Sequence, residues 1–154
     1  MLYLAKSITD QSQVAVKIID LKTIDNEVTE YLLSMEKIAI MAVNNPYVLK
    51  GIRVIQNNRY CHIVTELCNG GTLKDAIRHQ GPLGEEKSLK ILTQILKGMC
   101  SLIGKGIIHR DLKPANILFH NGQAKIIDFG YCEIKGYSKP SLDYNVGSPS
   151  YMAP

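Results

Sequence analysis

The chain has 154 residues, of which 45% are hydrophobic, and its formal net charge is +4. This composition is that of one ordinary globular domain and argues against a disordered chain. The 18 basic residues are scattered, so they predict neither a nucleic-acid surface nor a membrane surface, although a locally basic cleft would suit a polyphosphate.

The first elements are predicted to be a hairpin followed by a helix. Residues 1–5 and 13–21 have the pattern of two antiparallel strands joined by the polar SITDQS. Alternation places Ala15 and Lys17 on one face of the second strand. Taken alone, a lysine in a strand is typical of a solvated edge, whereas the small Ala15 leaves room for a flat ligand.

A helix is predicted from Asp25 or Asn26 to about Val43. Its buried stripe consists of Val28, Tyr31, Leu32, Met35, Ala39 and Ala42. Glu36 borders this stripe, since its neighbours one turn away are Leu32 and Ile40. A carboxylate there is either hydrated or paired with a cation.

The next elements divide the chain into two lobes. Strands are predicted over 48–55 and 59–67, which complete a first lobe of residues 1–67. Residues 68–71 (CNGG) break the pattern, and helices follow over 72–79 and 85–103 in a second lobe of residues 72–154. A cleft between lobes is a usual place for a small-molecule site.

The segment HRDLKPANILFHNGQAKIIDFG at 109–130 contains most of the candidate chemistry. Pro114 predicts an irregular loop that carries Asp111 and Asn116. A hairpin of residues 117–119 and 124–127, turning at Asn121-Gly122, returns Asp128 close to Asn116.

These polar residues match the needs of phosphoryl transfer when they are taken together. Oxygen atoms of Asp128 and Asn116 suit magnesium, Asp111 can orient a hydroxyl group, and Lys113 can offset phosphate charge. Each of them alone is more commonly an ordinary loop residue that bonds its own backbone or faces solvent.

Four motifs resemble the signature set of eukaryotic protein kinases in its usual order: VAVK at 14–17, HRDLKPAN at 109–116, DFG at 128–130 and GSPSYMAP at 147–154. The resemblance covers essentially the whole chain. It implies an α+β fold with two lobes, in which the first lobe is an antiparallel sheet with one helix and the second is helical. Lys113, two positions after Asp111, is typical of serine/threonine kinases, and CNGG and GSPSYMAP weakly resemble the autophagy-initiating and calmodulin-dependent branches.

The resemblance also implies roles for individual residues, with ATP and Mg²⁺ as cofactors and a protein with a serine or threonine acceptor as substrate. Lys17, oriented by Glu36, would contact the α- and β-phosphates, and Asp111 and Lys113 would act at the transferred group. Asn116 and Asp128 would bind magnesium. In the nucleotide pocket, Ala15 and Leu118 would contact the adenine, Thr65 would lie at the back, and Glu66 to Cys68 would form the hinge. His109, Phe129 and Ile40 would form an apolar stack that links the lobes.

The resemblance implies a regulatory set as well. Arg110 would pair with a phosphorylated residue of the activation segment, about 131–153. The usual phosphothreonine position is Tyr144 here, so Ser138 and Ser141 are the alternatives. Ser148 would bridge Asp111 and Lys113.

Three features depart from the kinase pattern. The glycine-rich loop that would precede residue 1 is absent, and the chain stops at Pro154, one residue before an expected glutamate. Gly51 falls where the apolar stack would take a side chain, so Ile52 or Leu49 is expected to replace it. We therefore expect a fragment of a kinase domain that is inactive in isolation; the alternative is a truncated pseudokinase or a regulatory nucleotide- or protein-binding module.

The four cysteines and the apolar segments bear on the cellular compartment. Cys61, Cys68, Cys100 and Cys132 show neither metal-ligand spacing nor a disulfide framework, which predicts reduced thiols in a cytoplasmic protein. No apolar run approaches the ~18 residues that a membrane span needs, and no signal peptide is recognisable at the start.

Overall fold

Alternating apolar residues build a four-stranded antiparallel sheet in the first lobe. The computed structural model describes residues 1–137 and 146–152. Within them β1 (Leu2–Lys6), β2 (Gln13–Asp20), β3 (Gly51–Gln56) and β4 (Tyr60–Glu66) lie in the order β1-β2-β4-β3. In β4, every second side chain is buried, as a pleated strand with one core face requires. The predicted first hairpin is confirmed by the pairing of β1 with β2.

The helix of the first lobe, α1 (Glu27–Ala42), packs on β3. Asn26 caps it by accepting a hydrogen bond from the Thr29 amide at 2.9 Å. The predicted buried stripe is partly wrong, because Ala42 is exposed and the buried face consists of Leu33, Met35, Glu36, Ala39 and Ile40. Glu36 therefore lies within the stripe and does not merely border it.

The strand predicted from residue 48 begins only at Gly51. Val48 forms a parallel bridge with Ile126 in the second lobe, so this residue connects the lobes instead of extending β3. Of the two residues expected to replace the side chain missing at Gly51, Ile52 is 46% exposed, whereas Leu49 packs against the core. Leu49 is thus the neighbour that contributes to the interior.

Gly51 has a packing reason of its own. A Cβ atom there would lie 2.4 Å from the carbonyl oxygen of Ile40 in α1. We expect Gly51→Ala to destabilise the protein by about 1–3 kcal/mol, because overpacking forces the helix away from the sheet. Chemical denaturation measures this change, and Gly104→Ala is the matched control, since no atom lies within 4 Å of a Cβ there. Equal stability of the two variants would contradict the close approach of α1.

The second lobe begins with two helices, α2 (Leu73–Gln80) and α3 (Glu85–Gly104). Thr72 and Asp75 form a reciprocal capping box at the start of α2. No helix in the described part of the chain has the length and apolar character that crossing a membrane would require.

Two short antiparallel strand pairs follow. β6 (Ile117–His120) pairs with β7 (Gln123–Ile126), which confirms the predicted hairpin, and β5 (Ile107–Ile108) pairs with β8 (Glu133–Ile134). The second pair was not predicted because strands of two residues are too short to show a period. One residue from each of these four strands lies in the same core as Leu102 and Phe129: Ile107, Ile117, Ile126 and Ile134.

Candidate active site

A cavity of about 550 Å³ lies between the sheet of the first lobe and the β6–β7 hairpin of the second. Every residue predicted from the sequence to bind ATP lines it: Ala15, Lys17, Thr65, Glu66, Cys68 and Leu118. Glu36, Asp128 and Phe129 complete its inner end. The expected cleft between lobes therefore exists, and it has the size of a small-molecule site.

Lys17 and Glu36 form an ion pair at the inner end of this cavity. Their Nζ and Oε1 atoms lie 2.5 Å apart. Glu36 is 8% exposed, so its carboxylate needs the cation that Lys17 supplies. The Lys17 side chain is 38% exposed and keeps access to the cavity. The hydrated alternative for Glu36 is thereby wrong, and Lys17 is not an edge residue, since β2 lies between β1 and β4.

Asp111 lies at the centre of a buried polar network in the loop between β5 and β6. Its Oδ2 atom accepts hydrogen bonds from Asn116 Nδ2 at 2.8 Å and from Lys113 Nζ at 2.7 Å. Asn116 Nδ2 also donates to the Asp111 carbonyl at 2.9 Å. Among the described residues, nothing donates to the buried Oδ1 atom. One carboxylate oxygen is thus held in place, and the other can accept a hydrogen bond from a substrate.

The charge of Asp111 is stabilised by this network. Burial raises the pKa of the carboxyl group, but the hydrogen bond and the charge of Lys113, together with the Asn116 hydrogen bond, hold the pKa below its ordinary value of 3.8. The hydrogen bond to Asp111 is the main reason why the pKa of Lys113 is raised. Both groups are consequently charged at neutral pH.

Asp128 follows β7 in a left-handed backbone conformation, with φ at 66°. This conformation is uncommon for a residue with a side chain, although aspartate adopts it more readily than most, and residues held in it cluster at active sites. Its Oδ1 atom accepts a hydrogen bond from Gly130 N at 3.2 Å. Ile127 N donates to the Asn116 carbonyl at 2.9 Å, so the loop that carries Asn116 is bonded next to Asp128.

The side-chain oxygen atoms of Asp128 and Asn116 are of the kind that magnesium binds. Asn116 uses its Nδ2 atom toward Asp111, which leaves its amide oxygen for another partner. No group of three or more histidine, cysteine or acidic side chains that could hold a metal occurs within the described ranges. Magnesium is commonly bound through one or two protein oxygens, with phosphates and water as the other ligands. Asp128 and Asn116 suit that arrangement.

His109 and Phe129 form the apolar support beneath the site. Their ring centroids lie 5.5 Å apart, and Phe129 is 1% exposed. Burial lowers the pKa of His109, and its Nε2 atom lies 3.0 Å from the Ile127 carbonyl oxygen. Ile40 and Leu49 line the same cavity as Phe129. The contact between His109 and Phe129 in the predicted stack is confirmed.

Lys125 was not singled out in the sequence. Its Nζ atom lies 2.8 Å from Glu66 Oε1, at the start of the predicted hinge. A signal was nevertheless present, because Lys125 interrupts the apolar run of residues 124–127. Alternation alone would have placed this lysine on the solvent face.

The regulatory candidates are only partly described. Lys113 Nζ donates to Ser148 Oγ at 2.6 Å. Arg110 donates through Nε to the Tyr131 carbonyl at 2.7 Å, and its NH1 atom lies 3.2 Å from Glu133 Oε2. Glu133 was also missed in the sequence. The remaining candidates, Ser138, Ser141 and Tyr144, lie outside the described residues.

Comparisons with known proteins give a consistent match. The family model of the protein kinase domain matches residues 1–154. Calcium-dependent protein kinase 5 of Plasmodium berghei is 37% identical over 144 residues, which cover 91% of this chain and 25% of that protein. A probable myosin light chain kinase of Dictyostelium discoideum is 36% identical, covering 93% and 46%. CBL-interacting serine/threonine-protein kinase 9 of Arabidopsis thaliana is 31% identical, covering 97% and 34%. The chain thus spans between a quarter and a half of the length of these relatives.

Proposed function

The chain belongs to the protein kinase family, and from this premise we propose that it carries the site at which a phosphoryl group passes from ATP to a serine or threonine hydroxyl of a protein. One observation carries the proposal. The Asp111 network has a buried Oδ1 atom that no described residue donates to. Through Asn116 it is bonded to Ile127, next to Asp128, and Asp128 lines the cavity together with Lys17. Lys113 and the names of the serine/threonine kinase relatives support the choice of acceptor.

The cavity would hold ATP with its base at the hinge and its phosphates at the inner end. Ala15 and Leu118 would contact the two faces of the adenine, and backbone groups from Glu66 to Cys68 would bond its edge. Lys17 would bind the phosphates, with its orientation fixed by Glu36. Bound magnesium, held by Asp128 and Asn116, would neutralise part of the phosphate charge.

In the transfer step, Asp111 Oδ1 would accept the hydrogen bond of the substrate hydroxyl and so orient its oxygen toward the γ-phosphorus atom. A bond forms between that oxygen and phosphorus, and the bond from phosphorus to the bridging oxygen of ADP breaks. The hydroxyl proton passes to Asp111. Lys113, bonded to the other Asp111 oxygen, would offset the negative charge of the transferring group.

Two measurements test this function. Isothermal titration of the 154-residue chain with Mg-ATP is expected to show binding that Asp128→Ala weakens. Phosphoryl transfer from Mg-ATP to serine and threonine peptides is then measured with the full-length protein that the gene encodes, called the full gene product below. Transfer that persists in Asp128→Ala would contradict the proposed site. Binding without any transfer would instead favour a nucleotide-binding module.

Ser148 offers a narrower prediction. Its hydroxyl accepts the Lys113 hydrogen bond at 2.6 Å, so its removal frees one end of the lysine. We expect Ser148→Ala to lower kcat in the full gene product by about 10-fold, and Ser148→Thr to retain most of the rate because it keeps the hydroxyl. Steady-state kinetics with a serine peptide measures both. An equal loss in the two variants would show that side-chain volume, and not the hydroxyl, matters at this position.

We also propose regulation through Arg110 and a cytoplasmic location. A phosphate on Ser138, Ser141 or Tyr144 would compete with Glu133 for the Arg110 guanidinium. A variant lacking all three hydroxyl groups that remains fully active would contradict this regulation. The location is supported by four free cysteines, two of them buried.

A further inference from the structure

Lys125 is a buried lysine that none of the proposed catalytic steps uses. It lies in β7 and is 6% exposed, between Ala124 and Ile126, which are fully buried. Its Nζ atom lies 2.8 Å from Glu66 Oε1. An ammonium group is costly to bury without an anionic partner, so Lys125 and Glu66 depend on each other.

The same Glu66 oxygen has a second donor. Lys50 N donates to Glu66 Oε1 at 2.8 Å, and Glu66 N donates to the Lys50 carbonyl at 3.0 Å. The segment before β3 is bonded in turn to β7, through Ile126 N to the Tyr47 carbonyl and Leu49 N to the Ile126 carbonyl, both at 2.9 Å. The end of β4, the segment 47–50 and β7 are therefore connected in one ring of contacts.

This ring joins the two ends of the nucleotide cavity. Beyond Glu66 the chain continues to Leu67 and Cys68, which line the cavity at the hinge. Beyond Ile126 it continues through Ile127 to Asp128, which lines the inner end. The ion pair of Lys125 and Glu66 also links the two lobes through side chains, since Glu66 lies in the first lobe and Lys125 in the second.

We propose that Lys125 is a positioning residue for nucleotide binding, which acts through Glu66 to fix the base-binding hinge relative to the magnesium ligand Asp128. The inference rests on the proposed function, because it presumes that the cavity takes Mg-ATP. ATP must contact the hinge and Asp128 at the same time, so a variable distance between them weakens its binding.

The two charges predict a distinctive pattern in variants. Lys125→Met leaves the Glu66 carboxylate without its cation, whereas Glu66→Gln with Lys125→Met removes both charges together. Breaking a buried pair on one side costs far more than replacing the pair as a whole. If the Lys125 side chain only filled space, replacing Glu66 as well would not restore the binding that Lys125→Met loses.

The reactivity of the Cys68 thiol can report on the charges of Lys125 and Glu66. Burial is the main reason why the pKa of its thiol is raised to about 11; the Glu66 charge contributes to this increase, and the Lys125 charge opposes it. Lys125→Met should therefore slow alkylation of Cys68 by iodoacetamide, because the thiolate is the reactive form. In the double variant the rate should return toward that of the wild type. Peptide mass spectrometry separates Cys68 from the exposed Cys100.

The experiment titrates Mg-ATP into the wild-type chain, Lys125→Met, the double variant, and Lys74→Met as an exposed control on α2. We expect Lys125→Met to weaken binding about 10-fold, the double variant to recover part of that loss, and the Lys74→Met control to stay within about 3-fold of the wild type. Amide hydrogen exchange at residues 67–69 should increase only in Lys125→Met.

Three results separate the inference from the function it rests on. Unchanged affinity and exchange in Lys125→Met would overturn the inference, as would a double variant no better than the single one. A wild-type chain that does not bind Mg-ATP would overturn the proposed function. In that case, the exchange and alkylation patterns still decide whether the pair orders the hinge.

Discussion

Replacing Asp111 by alanine in the full gene product is expected to lower kcat by about 10³-fold, within the range that a positioned general base contributes. The reason is local. Asp111 Oδ2 is held by Asn116 and Lys113, so Oδ1 has a fixed direction from which to orient the acceptor hydroxyl. The affinity for Mg-ATP should change little, since Asp111 is not among the residues that line the nucleotide cavity.

Two further variants test that reason. Asp111→Asn keeps the size of the side chain but removes its charge, and we expect a loss nearly as large. Asp25→Ala removes an exposed carboxylate before α1 and should leave kcat unchanged. A rate within about 10-fold of the wild type in Asp111→Asn would mean that orientation without proton acceptance suffices, and our assignment of Asp111 would be wrong.

Most of the fold could be predicted because its signals are local. The hairpin of β1 and β2, the cap of α1 at Asn26 and the hairpin of β6 and β7 each depend on residues close together in the chain. Contacts between distant segments were harder to predict. The predicted strand begins three residues later than expected, because Val48 pairs with Ile126, which lies 78 positions away along the chain.

In the candidate site, too, residues close together in the chain were easier to predict than pairs of distant residues. Asp111, Lys113 and Asn116 lie within one short loop, and the resemblance to kinases brought Lys17 and Glu36 to them. Glu66 was predicted only as a hinge residue, since nothing local relates it to Lys125, 59 positions later. Glu133 was missed for the same reason, because its partner Arg110 lies 23 positions earlier in the chain, just after β5. Ion pairs between distant segments leave little trace in a single sequence.

Replacing Lys17 by methionine is expected to lower kcat/KM for ATP by about 10²–10³-fold, the cost of removing one preorganised charge from a transition state. Two effects add. The phosphates lose a cation at the inner end of the cavity, and the buried Glu36 carboxylate loses the partner 2.5 Å away. An unpaired carboxylate within the packed face of α1 favours movement of that helix away from the cavity.

The second effect can be isolated with Glu36→Gln. This variant leaves Lys17 charged but no longer oriented, so we expect a smaller loss than in Lys17→Met. Adding Glu36→Gln to Lys17→Met should cost little more than Lys17→Met alone, because residues that act as one unit are not additive. Lys22→Met, which removes an exposed charge from the turn after β2, is the control and should bind and turn over ATP as the wild type does. Fully additive losses would mean that Lys17 and Glu36 act independently, and that the pair seen in the structure does not orient the lysine for catalysis.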